Sequence, residues 1–80
     1  MNLKPGDLLC LRQDIHSGTI LWNSPVPFQR EKITFIGSWE IALFIHDHPH
    51  TPSNPPYLLV ITSRGCLGWV NAERITLVEP

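Results

Sequence analysis

The sequence has few features that would indicate a nucleic acid, a membrane or export. Its 80 residues include six basic and seven acidic side chains, scattered singly, with a net charge of −1. Nucleic-acid binding draws its affinity from neutralised phosphates, so this balance argues against it. The longest run without a polar residue, 41–45, is far shorter than the roughly 20 residues of a membrane span. The chain start has no apolar signal core, so we expect a soluble cytoplasmic protein.

Cysteine is scarce as well. Cys10 and Cys66 are the two cysteines of the chain, and both lie in apolar segments without CxxC spacing. We interpret them as buried, reduced thiols that act as small hydrophobic residues. A disulfide between them stays open as an alternative, because closure of a small barrel could bring the first and penultimate strands together.

Catalytic patterns are missing too. The chain has no GxSxG, P-loop or HExxH motif and no paired carboxylates, and Cys66 has no basic cluster beside it. A nucleophilic site needs a base beside Cys or Ser, and an acid that orients the base. We therefore predict that the protein is not an enzyme and uses no cofactor.

Proline, in contrast, is abundant at 8 of 80 residues, and no segment keeps a helical apolar period over three turns. Both observations favour a loop-rich β fold in a single domain spanning residues 1–80. Gly37 and Ser38 separate two apolar runs, which predicts a two-residue hairpin. Short apolar segments between turn signals predict strands at 8–12, 19–23, 32–36, 39–46, 57–61, 66–70 and 75–78.

The longest irregular segment is residues 47–56, which contains four prolines. Proline fixes φ and removes a donor, so we predict a protruding, polyproline-like loop inserted in the domain. Three imidazoles occur at alternate positions at its start, where an extended backbone would point them the same way. Zinc or nickel would accept such nitrogens, so a metal site is one alternative, and an exposed polar loop is the other. The candidate ligands are His46, His48 and His50.

The most specific pattern lies in the last third of the chain. It consists of Gly65-Cys-Leu-Gly68, Trp69-Val70, Asn71-Ala-Glu-Arg74 and an apolar segment at 75–78. This order resembles the end of a Src-homology-3-type barrel, where Gly-x-x-Gly precedes an apolar pair, a one-turn 3₁₀ helix and a last strand. The Gly-Trp-Val form looks most like the bacterial branch. The resemblance covers 57–80 well and 4–12 loosely, and it implies an all-β, Src-homology-3-like barrel of five or six strands.

The resemblance also has consequences for the binding surface. It implies that Val70 points inward and that Trp69 lies towards a binding face. Peptide-binding members of the family line their groove with a Pro and a Tyr, where this chain has Asn71 and Arg74. Recognition of proline-rich peptides depends on an aromatic groove, so these two residues argue against it.

Aromatic residues are the main candidates for a binding surface, because they dominate interfaces as well as cores. Their alternative role is to cap the ends of a small barrel. The candidates are Trp69, Trp39, Tyr57 and Trp22.

Two of the predicted strands, 39–45 and 57–61, are apolar on both faces. A small barrel has little material to cover a second face, so we predict self-association or a protein partner. The predicted function is non-catalytic protein–protein interaction, or a homo-oligomeric scaffold. Binding of RNA or DNA is retained as an alternative, as is metal binding by the histidines. The cations available for phosphate contacts are Arg12, Arg30, Lys32, Arg64 and Arg74.

Overall fold

The described part of the chain is all-β. It comprises residues 3–14, 17–26, 30–47 and 56–78 of a computed structural model. Seven strands and one 3₁₀ turn are the regular elements in these ranges. The described residues contain no helix that is long and apolar enough to cross a membrane. The strands are β1 (Leu8–Leu11), β2 (Thr19–Trp22), β3 (Lys32–Ile36), β4 (Ile41–Asp47), β5 (Tyr57–Thr62), β6 (Leu67–Asn71) and β7 (Ile75–Leu77), with the 3₁₀ turn at Ala72–Arg74.

All seven strands belong to one antiparallel sheet in the order β3-β2-β6-β5-β4-β1-β7. Its two edges, β3 and β7, are not paired with each other in the described residues, so the predicted closed barrel is not confirmed. The sheet has seven strands rather than five or six, because β2 and β3 form an additional hairpin. This hairpin joins the rest of the sheet through Trp22, which lies opposite Trp69 on β6.

The predicted hairpin at Gly37 and Ser38 is wrong. β3 pairs with β2, whereas β4 pairs with β1 on one side and β5 on the other. The chain does turn here, since the Glu40 amide donates to the Gly37 carbonyl at 3.0 Å. A local turn signal reports the bend but not the partner of the strand that follows. Both edges of β4 are occupied by other strands, so β3 cannot pair with it.

The core lies on one face of the sheet, and strand alternation selects its residues. On β6, Gly68 and Val70 are buried while Leu67 is exposed and Trp69 is half-buried. The prediction that Val70 points inward is therefore confirmed, and its side chain has no exposed surface. The buried cluster consists of Leu9, Leu11, Leu21, Ile36, Ala42, Phe44, Leu58, Val60, Val70 and Ile75.

The two cysteines are free thiols, as predicted, and both are half-buried rather than fully buried. Cys10 lies on β1 opposite Ile41 and Thr76. Cys66 packs partly against the core, and its amide donates to the Thr62 hydroxyl at 3.1 Å. The two thiols lie in separate parts of the sheet with different neighbours, and no disulfide joins them.

The single helical turn predicted at 71–74 is confirmed as the 3₁₀ turn Ala72–Arg74. Asn71 precedes it in an extended conformation, and its side-chain oxygen accepts a hydrogen bond from the Glu73 amide at 2.9 Å. This bond satisfies a donor that the short turn leaves unpaired. Of the predicted loop at 47–56, Asp47 ends β4 and Pro56 precedes β5, while residues 48–55 lie outside the described residues.

Candidate functional site

The outer face of β1, β4, β5 and β6 is apolar, although it lies opposite the core. Its central feature is a row with one aliphatic residue per strand. In the strand register, Leu8 lies opposite Leu43, Leu43 opposite Ile61, and Ile61 opposite Leu67. Leu8, Leu43 and Leu67 are 46%, 39% and 52% exposed. Directly opposed side chains on neighbouring strands are in contact, so the row is continuous.

A second group of outward-facing residues extends this row on both sides. Cys10 and Ile41 are paired across β1 and β4, and Leu59 and Trp69 are paired across β5 and β6. None of these side chains is charged at neutral pH. Contiguous exposed apolar surface of this kind marks interaction sites. We call this surface the apolar sheet face, defined by Leu8, Cys10, Ile41, Leu43, Leu59, Ile61, Leu67 and Trp69.

Three of the four aromatic residues predicted as a binding surface lie on adjacent strands. Trp69 on β6 lies opposite Trp22 on β2, and both are half-buried. Tyr57 lies on β5, next to β6. The His46 ring meets the Trp69 ring edge-on, with 5.5 Å between the ring centroids. The structure therefore places Trp22, Tyr57 and Trp69 beside one another, at the hairpin end of the apolar sheet face.

Arg30 covers two of these aromatic rings. Its guanidinium carbon lies 4.0 Å from the centroid of the Trp22 ring and 5.2 Å from that of the Tyr57 ring. Its Nη1 donates to the Tyr57 hydroxyl at 2.6 Å. Tyr57 is buried but does not belong to the core cluster. It is buried because Arg30 covers its ring on the outer side of the sheet. Sequence reasoning missed this role, since Arg30 stands outside the strands with no recognisable motif around it.

A groove of about 370 Å³ opens beside Arg30, between the β2–β3 hairpin and the start of β5. Its walls include Asn71 and Arg74, the two positions where the resemblance expects a Pro and a Tyr. Its lining contains two guanidinium groups and no carboxylate among the described residues. We call it the two-arginine groove, defined by Trp22, Arg30, Phe35, Tyr57, Asn71 and Arg74.

Trp39, the fourth predicted aromatic, lies elsewhere. It belongs to the turn between β3 and β4 and is 83% exposed. Its ring covers Gly37, where an added Cβ would lie 2.5 Å from the ring edge. It lines a different depression, together with Glu40 and Arg64. The structure thus does not join Trp39 to the other three aromatic residues.

A buried carboxylate near Trp39 ties two turns together. Glu40 is 7% exposed, and its Oε1 accepts a hydrogen bond from the Gly37 amide at 3.1 Å. Its Oε2 accepts from Arg64 Nε at 3.1 Å, and Arg64 Nη2 donates to the Phe35 carbonyl at 2.7 Å. The turn after β5 is thereby linked to edge strand β3. This role is structural, and no local sequence pattern indicates it.

The cations considered for phosphate contacts do not form one surface. Arg12 pairs with Asp14 at 3.4 Å, and Arg64 pairs with Glu40. The ammonium group of Lys32 lies 3.8 Å from the centre of the Phe35 ring. Only Arg30 and Arg74 line a common groove. Arg12, Arg64 and Lys32 are therefore each engaged locally, and nucleic-acid binding stays a prediction.

The predicted histidine site is only partly within the described residues. His46 is exposed at the end of β4, and its Nδ1 lies 2.8 Å from the Asp47 carbonyl oxygen. His48 and His50 lie outside the described residues. Among the side chains that the structure describes, no three His, Cys, Asp or Glu residues are grouped for a metal ion. The metal-binding alternative stays a prediction.

Comparison with known proteins identifies no family for this chain, so any proposed function has to be inferred from the surfaces described above. No protein-family model, no curated protein and no solved structure matches the chain.

Proposed function

We propose that the protein is a non-catalytic protein–protein interaction module that self-associates through the apolar sheet face. The observation that carries this proposal is the aliphatic row of Leu8, Leu43, Ile61 and Leu67, which crosses four strands on the side away from the core. Burial of apolar surface contributes roughly 25 cal/mol per Å². A partner that covers the row transfers these exposed aliphatic side chains out of water, and this burial favours association.

A second copy of the chain is the occupant that fits this face best. The face carries no charged side chain that would select a partner of particular charge. Two such faces are complementary to each other, because apolar sheet faces pack against one another about 10 Å apart. A closed two-fold arrangement uses the same patch on both copies. Trp69 at the margin adds an aromatic side chain, a type enriched in interfaces.

A Src-homology-3-like barrel is our proposal for the fold family. Four features support it: the Gly-x-x-Gly segment at 65–68, the Trp69-Val70 pair with Val70 buried, the 3₁₀ turn Ala72–Arg74, and the return of β7 alongside β1. The two edge strands of the sheet, β3 and β7, would come together in a closed barrel.

A cytoplasmic location and the absence of catalysis also stay predictions.

Self-association is tested by light scattering after size exclusion. At high micromolar concentration the wild-type protein should elute with at least twice its chain mass of 9.1 kDa. Leu43→Lys should weaken association by about a hundredfold or more, because it places an unpaired charge in the centre of the interface. Leu43 is 39% exposed, so the lysine can reach water in the monomer and the fold should persist.

Val26→Lys is the matched control, since Val26 is 40% exposed but lies outside the apolar sheet face. It should leave the mass unchanged. A wild-type protein that stays at 9.1 kDa at high micromolar concentration would refute self-association.

A further inference from the structure

We propose that the two-arginine groove binds an acidic peptide segment, with a peptide carboxylate held by Arg30. The site goes beyond the proposed self-association, because it uses the β2–β3 hairpin and the 3₁₀ turn rather than the aliphatic row. The ligand class follows from the charge, geometry and size of the groove.

The Arg30 guanidinium is held in place before any ligand arrives. The Trp22 ring lies against it at 4.0 Å, and the hydrogen bond from Nη1 to the Tyr57 hydroxyl fixes its rotation. Arginine side chains otherwise have many accessible rotamers, and binding would have to overcome the entropy lost in fixing one of them. A guanidinium already stacked and bonded loses less of this freedom when a ligand binds.

The hydrogen bond to Tyr57 leaves the other edge of the guanidinium available. Nη1 is the only Arg30 nitrogen with a hydrogen bond to the described residues, which leaves Nε–H and Nη2–H. These two parallel donors match the two oxygens of a carboxylate. Stacking on Trp22 occupies a face of the group and not this edge, so cation–π contact and carboxylate binding are compatible.

The rest of the lining suits an acidic peptide. Arg74 supplies a second guanidinium, and no carboxylate lines the groove in the part of the chain that the structure describes. Asn71 and the hydroxyl of Ser17 offer hydrogen bonds to a peptide backbone, while Phe35 offers an apolar contact. The volume of about 370 Å³ lies at the lower end of the range for ligand clefts. A few residues of an extended segment would fill it.

A peptide fits better than a nucleic acid. Nucleic acids bind mainly by neutralising several phosphates. The groove offers two cations, the chain has a net charge of −1, and Arg12 and Arg64 are paired with carboxylates. Two guanidiniums are sufficient for a pair of carboxylates on a peptide but few for a polyphosphate backbone.

An NMR titration of the full chain tests the proposal. The probe is a short capped peptide of alternating glutamate and leucine, and the same peptide with glutamine in place of glutamate is its neutral match. The acidic peptide should shift the Arg30 Nε–H and Trp22 indole N–H signals, and added salt should weaken binding. The glutamine peptide should bind at least about tenfold more weakly, since hydrogen bonds to a charged group are worth more than neutral ones.

Variants locate the site. Arg30→Gln and Arg74→Gln should each weaken binding of the acidic peptide by about tenfold. Arg74 is exposed, so its replacement keeps the test valid even if Arg30→Gln unfolds. Lys4→Gln is the matched control for the loss of one positive charge, because Lys4 is exposed and does not line the groove, and it should leave the affinity unchanged.

Equal binding of the glutamate and glutamine peptides, or no shift of the Arg30 and Trp22 signals at millimolar peptide, would overturn the proposal. Tighter binding of an oligouridine of equal charge, lost in the same two variants, would assign the groove to nucleic acid instead. The Leu43→Lys monomer should bind the acidic peptide as the wild type does, so failure of self-association and failure of this site are distinguishable.

Discussion

Replacing Gly68 with alanine should lower the free energy of unfolding by about 1–3 kcal/mol, as overpacking of a filled interior does. Gly68 is buried on β6, the strand against which the β2–β3 hairpin packs. A Cβ at this position would lie 2.7 Å from both Leu21 Cγ and the Trp22 carbonyl oxygen. The carbonyl belongs to the backbone, so β2 itself has to move. Chemical denaturation of the wild type and the variant measures the loss.

The damage should be local to the hairpin, because β2 joins β6 through the single pair of Trp22 and Trp69. Amide hydrogens of β2 and β3 should exchange faster in Gly68→Ala, while those of β4 and β5 change less. Gly65→Asn serves as the control, since no atom lies within 4 Å of a Cβ there and asparagine tolerates the positive φ of 85° better than other residues. Equal losses in the two variants would contradict the close approach at Gly68.

Replacing Glu40 with alanine should also cost about 1–3 kcal/mol, since a buried donor then loses its acceptor. The carboxylate accepts hydrogen bonds from the buried Gly37 amide and from Arg64. Removing it leaves the amide unpaired and releases the arginine that contacts the Phe35 carbonyl. Thermal and urea denaturation measure the effect.

Two further variants separate the contributions of Glu40. Glu40→Gln keeps an oxygen for the Gly37 amide and removes the charge, so its loss should be smaller than that of alanine. Glu31→Ala, an exposed glutamate, should change stability by no more than about 0.5 kcal/mol. A Glu40→Ala protein as stable as Glu31→Ala would show that the link between the two turns contributes nothing.

Features that depend on neighbouring residues along the chain were predictable from the sequence. Alternation on β6 indicated that only one of Val70 and Trp69 could face the core, because neighbouring side chains of a strand point to opposite faces. The choice of Val70 as the inner residue came from the resemblance to the Src-homology-3 family. The apolar composition of β4 and β5 indicated a second apolar face, and the register adds that Leu43 and Ile61 lie side by side.

Features that depend on pairing between distant segments were not predictable from the sequence. Gly37 and Ser38 mark a turn, but the choice of β1 and β5 as the partners of β4 depends on the burial of the whole sheet. The contact of Arg30 with Tyr57 joins residues 27 positions apart. The burial of Glu40 depends on Arg64, 24 positions away. No local pattern carries such information.

A dilution series followed by methyl NMR tests most directly whether the apolar sheet face is the interface. Between high and low micromolar concentration, the methyl signals of Leu43, Ile61 and Leu67 should shift together as the oligomer dissociates. Those of Val26 should stay constant, although Val26 is also exposed. Shifts centred on other residues, or signals of the face that do not change while the mass falls, would contradict the assignment.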